Sequence, residues 1–313
     1  MTFGLQCSEE QSFVILDRAA NAGVTFLDSA DVYPVGGDLT TRGRTEEILG
    51  RWLHGRRQNF VVATKCLGAM GPNPWDRGAS RRHILDAVDQ SLRRLQTDWI
   101  DLYQLHGYDP ETPIDEMLEA LDSLVRSGKV RYIGCSNWVA FRVARAIGRS
   151  ETRSLARFDC VQPRYNLLYR EFERDLFPLC LEEGIGVISY NPIAGGFLSG
   201  KHDGGGPPTP GTRFTLGTAA QNYQQRYWHQ RQFDSVDQLR GVAADAGVPL
   251  ARLAVAWVLN QPAVTAPIVG ASKPEQLDET LAAVGMPFAE DLRAQLDAIT
   301  AEYRRGEPEA ARG

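Results

Sequence analysis

Short apolar runs recur along this chain, each followed by a longer segment whose apolar residues fall at helical spacing. That alternation is the pattern of successive βα units around a parallel sheet. Strands are predicted at 24–27, 59–64, 99–105, 130–134, 158–162, 186–190 and 264–269, with a fragment at 1–4 making eight. The segments between them carry helix signals. Ser8 with Gln11 forms a capping box ahead of Phe13, Val14 and Ala20, and Ser80 precedes Ile84, Leu85, Val88, Leu92 and Leu95. Ile114, Met117, Leu118, Leu121, Leu124 and Val125 make a further stripe, stopped by Gly128.

Eight strands with intervening helices suit either a closed (β/α)8 barrel or an open doubly wound sheet. An open sheet of that kind usually carries a glycine-rich phosphate turn after its first strand, and no GxGxxG follows any predicted strand here. The expectation is an α/β chain folded as a (β/α)8 TIM barrel, one domain over residues 1–313. A long interruption at 202–232 holds GGGPPTPG and then Tyr223, Tyr227 and Trp228; it is expected to be a loop at the C-terminal end of the seventh strand, a candidate lid.

Composition excludes several function classes. A net charge of −5, with 43% hydrophobic and 23% charged residues, describes an ordinary globular chain and invites neither nucleic acid nor an anionic membrane. No apolar run approaches the ~20 residues of a membrane helix, and the start lacks a secretory pattern, so a cytoplasmic location is expected. The five cysteines contain no CxxC and read as buried thiols; the five histidines contain no HxxxH, and no metal site is expected. Of 34 basic residues only four are lysine, a skew that suggests a GC-rich bacterial source.

In a barrel of this kind, catalytic groups sit at the C-terminal ends of different strands. Asp28 ends VTFL, Lys65 ends FVVAT and His106 ends WIDLYQL, while Tyr33 lies five residues beyond Asp28 in LDSADVY. Each alone is ordinary: an aspartate there caps a helix, a lysine is solvated, a histidine packs at a rim. Together a carboxylate, an ammonium, a phenol and an imidazole make an acid–base set. A phenol with a pKa of about 10 is a weak acid near neutrality unless its anion is stabilised. Lys65 can do that, Asp28 can partner Lys65, and His106 can orient a carbonyl oxygen.

The motifs DSADVY, ATK, YQLH, GKVRYIGCSN, VQPRYNLL, SYNPIAGGFLSGK and IVGASKPEQLDET follow one another in an order that resembles the aldo-keto reductase superfamily. GASKPEQL resembles the branch that includes bacterial reductases and potassium-channel beta subunits. The resemblance implies a barrel that binds NADP(H) in extended form and reduces aldehydes or ketones to alcohols. It implies a tetrad of Asp28, Tyr33, Lys65 and His106, with Tyr33 as general acid; His106 favours carbonyl over double-bond reduction.

By the same resemblance, Ser136, Asn137 and Gln162 hold the nicotinamide carboxamide and Tyr190 stacks on its ring. Asn191, Pro192, Ile193, Ala194, Gly195 and Lys201, with Arg213, follow the pyrophosphate. Gly270, Ser272, Lys273, Gln276, Glu279 and Thr280 form the adenosine end, with Ser272 and Lys273 suited to a 2′-phosphate and hence to NADPH. Thr280 stands where asparagine is common. Relatives usually begin with a hairpin and the opening of strand one, so both are expected to be missing here. A small carbonyl compound is the expected partner, without nucleic acid or membrane, and the oligomeric state is not readable. Reduction of a nucleotide-linked keto-sugar, or a cofactor-binding regulatory subunit with little turnover, are the alternatives.

Overall fold

A computed structural model describes residues 1–202, 204 and 206–306. The chain forms two compact units. The first comprises Met1–Gln162, Glu183–Ile185 and Gly270–Pro274, and the second Pro163–Glu182, Gly186–Val269 and Glu275–Gly313.

The first unit holds strands β1 (Phe26–Asp28), β2 (Val61–Cys66), β3 (Ile100–Leu105), β4 (Val130–Ser136) and β5 (Phe158–Gln162), each parallel to the next. Between and before them run α1 (Glu9–Asn21), α2 (Arg44–Leu53), α3 (Arg81–Leu95), α4 (Ile114–Arg126) and α5 (Ala140–Thr152). From Val62 to Cys66, β2 is buried residue after residue, as expected of a parallel strand covered on both faces. Helix starts follow their caps: Ser8 and Gln11 form the reciprocal capping box of α1, and Ser80 Oγ accepts from the His83 amide at the head of α3.

The second unit holds β6 (Gly186–Tyr190) parallel to β7 (Ala266–Ile268), with α6 (Leu176–Glu183), α7 (Ala219–Tyr227), α8 (Gln230–Asp245), α9 (Leu250–Leu259), α10 (Gln276–Leu281) and α11 (Glu290–Ile299). Arg170, only 2% exposed, is held by Glu173 at 2.7 Å and by Thr300 Oγ1 at 2.7 Å, and lies over the Trp257 ring. The repeated parallel βα unit is that of the (β/α)8 barrel class. No single described helix is long and apolar enough to cross a membrane.

Two expectations are corrected. The fragment at 1–4 is no strand: the Thr2 carbonyl accepts from the amides of Leu5, Gln6 and Cys7, closing a turn in which Phe3 and Cys7 share one isolated bridge. Nor is 202–232 one open loop. Residues 203 and 205 lie outside the described residues, but Arg213–Thr215 is a short 3-10 helix and α7 and the start of α8 follow. Tyr223 and Tyr227 point inward at 7% and 0% exposure. Tyr227 and Trp228 pack with Phe197, Phe214 and Phe233 in an aromatic cluster of the second unit.

Close packing of α2 on α3 depends on Gly50. A β-carbon there would lie 2.4 Å from the Arg94 carbonyl oxygen and 2.7 Å from the Leu95 carbonyl carbon, both main-chain atoms that cannot swing away. Gly50→Ala is expected to lower unfolding free energy by about 1–3 kcal/mol in urea titrations, against the small gain an exposed helical glycine-to-alanine change gives.

Beneath the same helices lies a buried acid. Asp31 is fully buried, and no side chain hydrogen-bonds to its carboxyl oxygens. Its neighbour Glu46 takes Thr64 Oγ1 at 2.5 Å and Arg94 Nε at 2.7 Å. Burial first and the Glu46 charge second hold the Asp31 pKa well above the ordinary 3.8, with Arg94, the Val32 amide and Arg42 offsetting only part. The folded chain therefore keeps a proton that the unfolded chain releases above pH ~4, and stability falls as pH rises from there toward the raised pKa. Asp31→Asn removes that dependence: its stability relative to the wild type is expected to increase from pH 5 to pH 8 in parallel urea titrations.

Candidate active site

Strand register brings the ionisable groups of the first unit together. Asp28 is the last residue of β1 and pairs with Ala63, so Lys65, two residues on along β2, shares the Ala63 face; Lys65 in turn pairs with Gln104 of β3. The result is a fully buried ammonium. Lys65 Nζ donates to Asp28 Oδ2 at 2.6 Å and to the Ser29 carbonyl at 2.6 Å.

Tyr33 is held over the same place by its backbone. Its amide donates to the Ala30 carbonyl at 3.1 Å, and its own carbonyl accepts from the amides of Gly43 at 3.1 Å and Thr45 at 3.4 Å. The phenol ring is 7% exposed; Lys65 Nζ lies 5.4 Å from its centroid, and the His106 ring meets it edge-on at 5.7 Å. His106 follows directly on β3, its amide bonded to the Cys66 carbonyl at 2.9 Å. Burial, and then the neighbouring Lys65 charge, lower the His106 pKa to about 3, so the ring is a neutral imidazole across the physiological range. The four residues expected as an acid–base set thus do converge.

Sequence reasoning passed over Gln104. Its amide Nε2 reaches Asp28 Oδ1 at 3.3 Å, and Gln162 Nε2 reaches the same oxygen at 2.9 Å, so the aspartate has amide donors on the side away from the lysine. A polar residue inside the apolar run YQL, spaced two from His106 and therefore on its face, was the available signal. Ser136 and Asn137 lie at the end of β4: Ser136 Oγ donates to the Gln162 carbonyl at 2.8 Å, and Asn137, with φ +59°, donates to Ser136 Oγ at 3.1 Å. Gly134 lets β4 approach β5 here, since a β-carbon on it would lie 2.7 Å from the Cys160 carbonyl oxygen.

In the second unit, half-buried Tyr190 ends β6, its amide bonded to the Pro163 carbonyl at 2.9 Å. The chain then turns through left-handed conformations at Asn191, Ala194, Gly195 and Gly196, with φ of +66°, +50°, +69° and +97°. Asn191 braces this turn, accepting from the Gly195 amide at 2.5 Å and donating to Tyr227 OH at 3.0 Å. Pro192 is buried, and Ile193 packs on Val255 and Ala256. Around the glycines stand two cations. A β-carbon on Gly195 would touch the Tyr223 ring at 2.5 Å and Arg213 Cγ at 3.5 Å, and one on Gly196 would lie 3.6 Å from Lys201 Nζ. A bare backbone turn flanked by guanidinium and ammonium is a fitting cradle for a polyanion.

Gly270, in the first unit, has open space where a side chain would stand; Ser272 is half-buried and Lys273 exposed. In the second unit Gln276 opens α10 at the surface, Glu279 pairs with Arg252 at 3.0 Å, and Thr280 is buried with its hydroxyl donating to the Leu277 carbonyl at 3.0 Å.

The chain is similar to known proteins over nearly its whole length. The model of the "Aldo/keto reductase family" matches residues 1–301. The chain is 36% identical to the "Uncharacterized oxidoreductase YrpG" of Bacillus subtilis, covering 96% of this chain and 90% of that one. It is 35% identical to a "Probable voltage-gated potassium channel subunit beta" of Arabidopsis thaliana, covering 91% and 85%. It is 32% identical to the "Versiconal hemiacetal acetate reductase" of Aspergillus parasiticus, covering 90% and 84%. With seven parallel strands in βα succession, a converging Asp–Tyr–Lys–His set and a family match over nearly its whole length, the chain belongs to the aldo/keto reductase family.

Proposed function

We propose that the protein is an NADPH-dependent reductase of aldehydes or ketones, with Tyr33 as the general acid. The observation that carries this reading is the buried Lys65 ammonium, 2.6 Å from Asp28 and 5.4 Å from the centre of the Tyr33 ring. A cation so close favours the phenolate that remains when Tyr33 gives its proton away. Asp28 and the Ser29 carbonyl accept hydrogen bonds from Lys65 Nζ and so replace the hydration that a buried ammonium loses. His106, neutral, offers a hydrogen bond to the substrate oxygen and leaves the proton transfer to Tyr33.

The residues present fit a nicotinamide dinucleotide in pieces. Ser136, Asn137 and Gln162 offer amide and hydroxyl groups suited to a carboxamide, and Tyr190 an aromatic face. The Asn191–Gly195 turn with Lys201 and Arg213 suits a pyrophosphate, and Gly270, Ser272, Lys273, Gln276, Glu279 and Thr280 the adenosine end. Ser272 and Lys273 bring a hydroxyl and an ammonium to a 2′-phosphate, which favours NADPH over NADH. Such a cofactor supplies the hydride for the carbonyl carbon. Tyr33 supplies the proton for the oxygen, and the product is the alcohol.

The likeness to a potassium-channel beta subunit supports a second reading, a cofactor-binding subunit with slow turnover. NADPH absorbance followed with a panel of aldehydes and ketones separates the two. Tyr33→Phe is expected to lower kcat by about 10²–10⁴-fold, the usual worth of a positioned general acid, while NADPH still binds. Tight NADPH binding without turnover of any carbonyl by the wild type favours the subunit. Asp28→Asn, which leaves the Lys65 ammonium buried beside a neutral amide, is expected to retain NADPH binding and lower kcat; unchanged turnover removes Asp28 from the mechanism.

A further inference from the structure

The N-terminal turn does more than close the chain end. Its backbone is fixed three ways: the Thr2 carbonyl takes three amides at 3.0–3.3 Å, the Met1 carbonyl accepts from the Val35 amide at 3.1 Å, and Thr45 Oγ1 donates to the Phe3 carbonyl at 2.9 Å. Gly4, with φ +87°, permits the contact with α2, since a β-carbon there would lie 2.9 Å from Arg44 Cβ. From this base two buried side chains reach the segment 270–274. Thr2 Oγ1 donates to the Ala271 carbonyl at 3.1 Å, and Cys7 Sγ to the next carbonyl, that of Ser272, at 3.5 Å. Thr2, Cys7 and Ala271 are 6%, 1% and 7% exposed.

We infer that Thr2 and Cys7 are positioning residues that hold the 270–274 segment in one conformation, so that Ser272 and Lys273 are preordered for a phosphate on the adenosine ribose. The inference rests on the reading of those two residues as phosphate contacts. Two successive carbonyls are drawn inward, while Ser272 is left half-buried and Lys273 exposed at the surface. A loop already ordered loses less conformational freedom when it binds, and that saving appears as affinity. It appears only for a ligand that touches the segment. NADPH gains most from it, because its 2′-phosphate is the group that meets Ser272 and Lys273; NADH, with a hydroxyl there, gains less. The Thr2 and Cys7 side chains make none of the backbone bonds that hold Tyr33 at Gly43 and Thr45, so the chemical step is expected to be unchanged.

The test uses the full chain carrying Thr2→Val or Cys7→Ala, with Kd for NADPH and NADH from fluorescence quenching, kcat, and hydrogen exchange at residues 270–273 without cofactor. Each variant is expected to raise the NADPH Kd by about two- to tenfold, the worth of one neutral hydrogen bond, and to leave NADH Kd and kcat within about twofold. Exchange at 270–273 is expected to quicken, and Thr2→Ser and Cys7→Ser to restore both readouts. Equal losses for the two dinucleotides, or a Thr2→Ser as weak as Thr2→Val, overturn the inference. If the wild type binds no NADPH, the cofactor reading falls and exchange alone decides: unchanged exchange in the variants overturns the positioning role as well.

Discussion

A lysine ammonium with no exposure to water is the constraint around which the first unit is arranged. Removing one partner of such a pair costs about 3–5 kcal/mol, because the other charge is then buried alone. Lys65 therefore requires Asp28, and Asp28, once committed to the lysine through Oδ2, collects amide protons from Gln104 and Gln162 on Oδ1. One ion pair in this way fixes the ends of β1, β2, β3 and β5 relative to each other. The phenol and imidazole that make the site chemically useful hang from those same ends.

The second unit solves a different problem, that of leaving a strand in left-handed turns without strain spreading into the core. Asn191 stitches the turn to itself through the Gly195 amide and to α7 through the Tyr227 hydroxyl, where Asn166 also donates. The hydroxyl of a fully buried tyrosine thus serves two asparagines, and the aromatic core around Phe197 holds that tyrosine in place. Glycines can stay bare at the turn because their neighbours supply the rigidity.

Much of this was legible in the sequence, for reasons that differ by element. The strand centres stand out because a parallel strand covered on both faces is a mostly apolar run, as in VVATKC, and the ionisable residues near the ends of such runs mark the site. Residues 1–4 read as a strand fragment because three amides converging on the Thr2 carbonyl leave no trace in hydropathy. Helix α7, AAQNYQQRY, was hidden by its polar surface and short length; only Ala219, Tyr223 and Tyr227 of it are buried. Gln104 went unnoticed since its role exists only once β3 lies between Asp28 and Gln162. The approach of Arg213 to Gly195 likewise depends on a fold-back that local spacing cannot encode.

The cysteines acquire a meaning from their burial. None of the five forms a disulfide, and all are between 0% and 7% exposed; burial raises the thiol pKa of Cys180 to about 12 and also raises that of Cys66. A thiol that is covered and protonated is a poor nucleophile. Reactive carbonyl compounds in solution are electrophiles that consume exposed thiolates, and this surface offers them none. The packing that fills the core thereby also keeps the five cysteine sulfurs covered from such compounds.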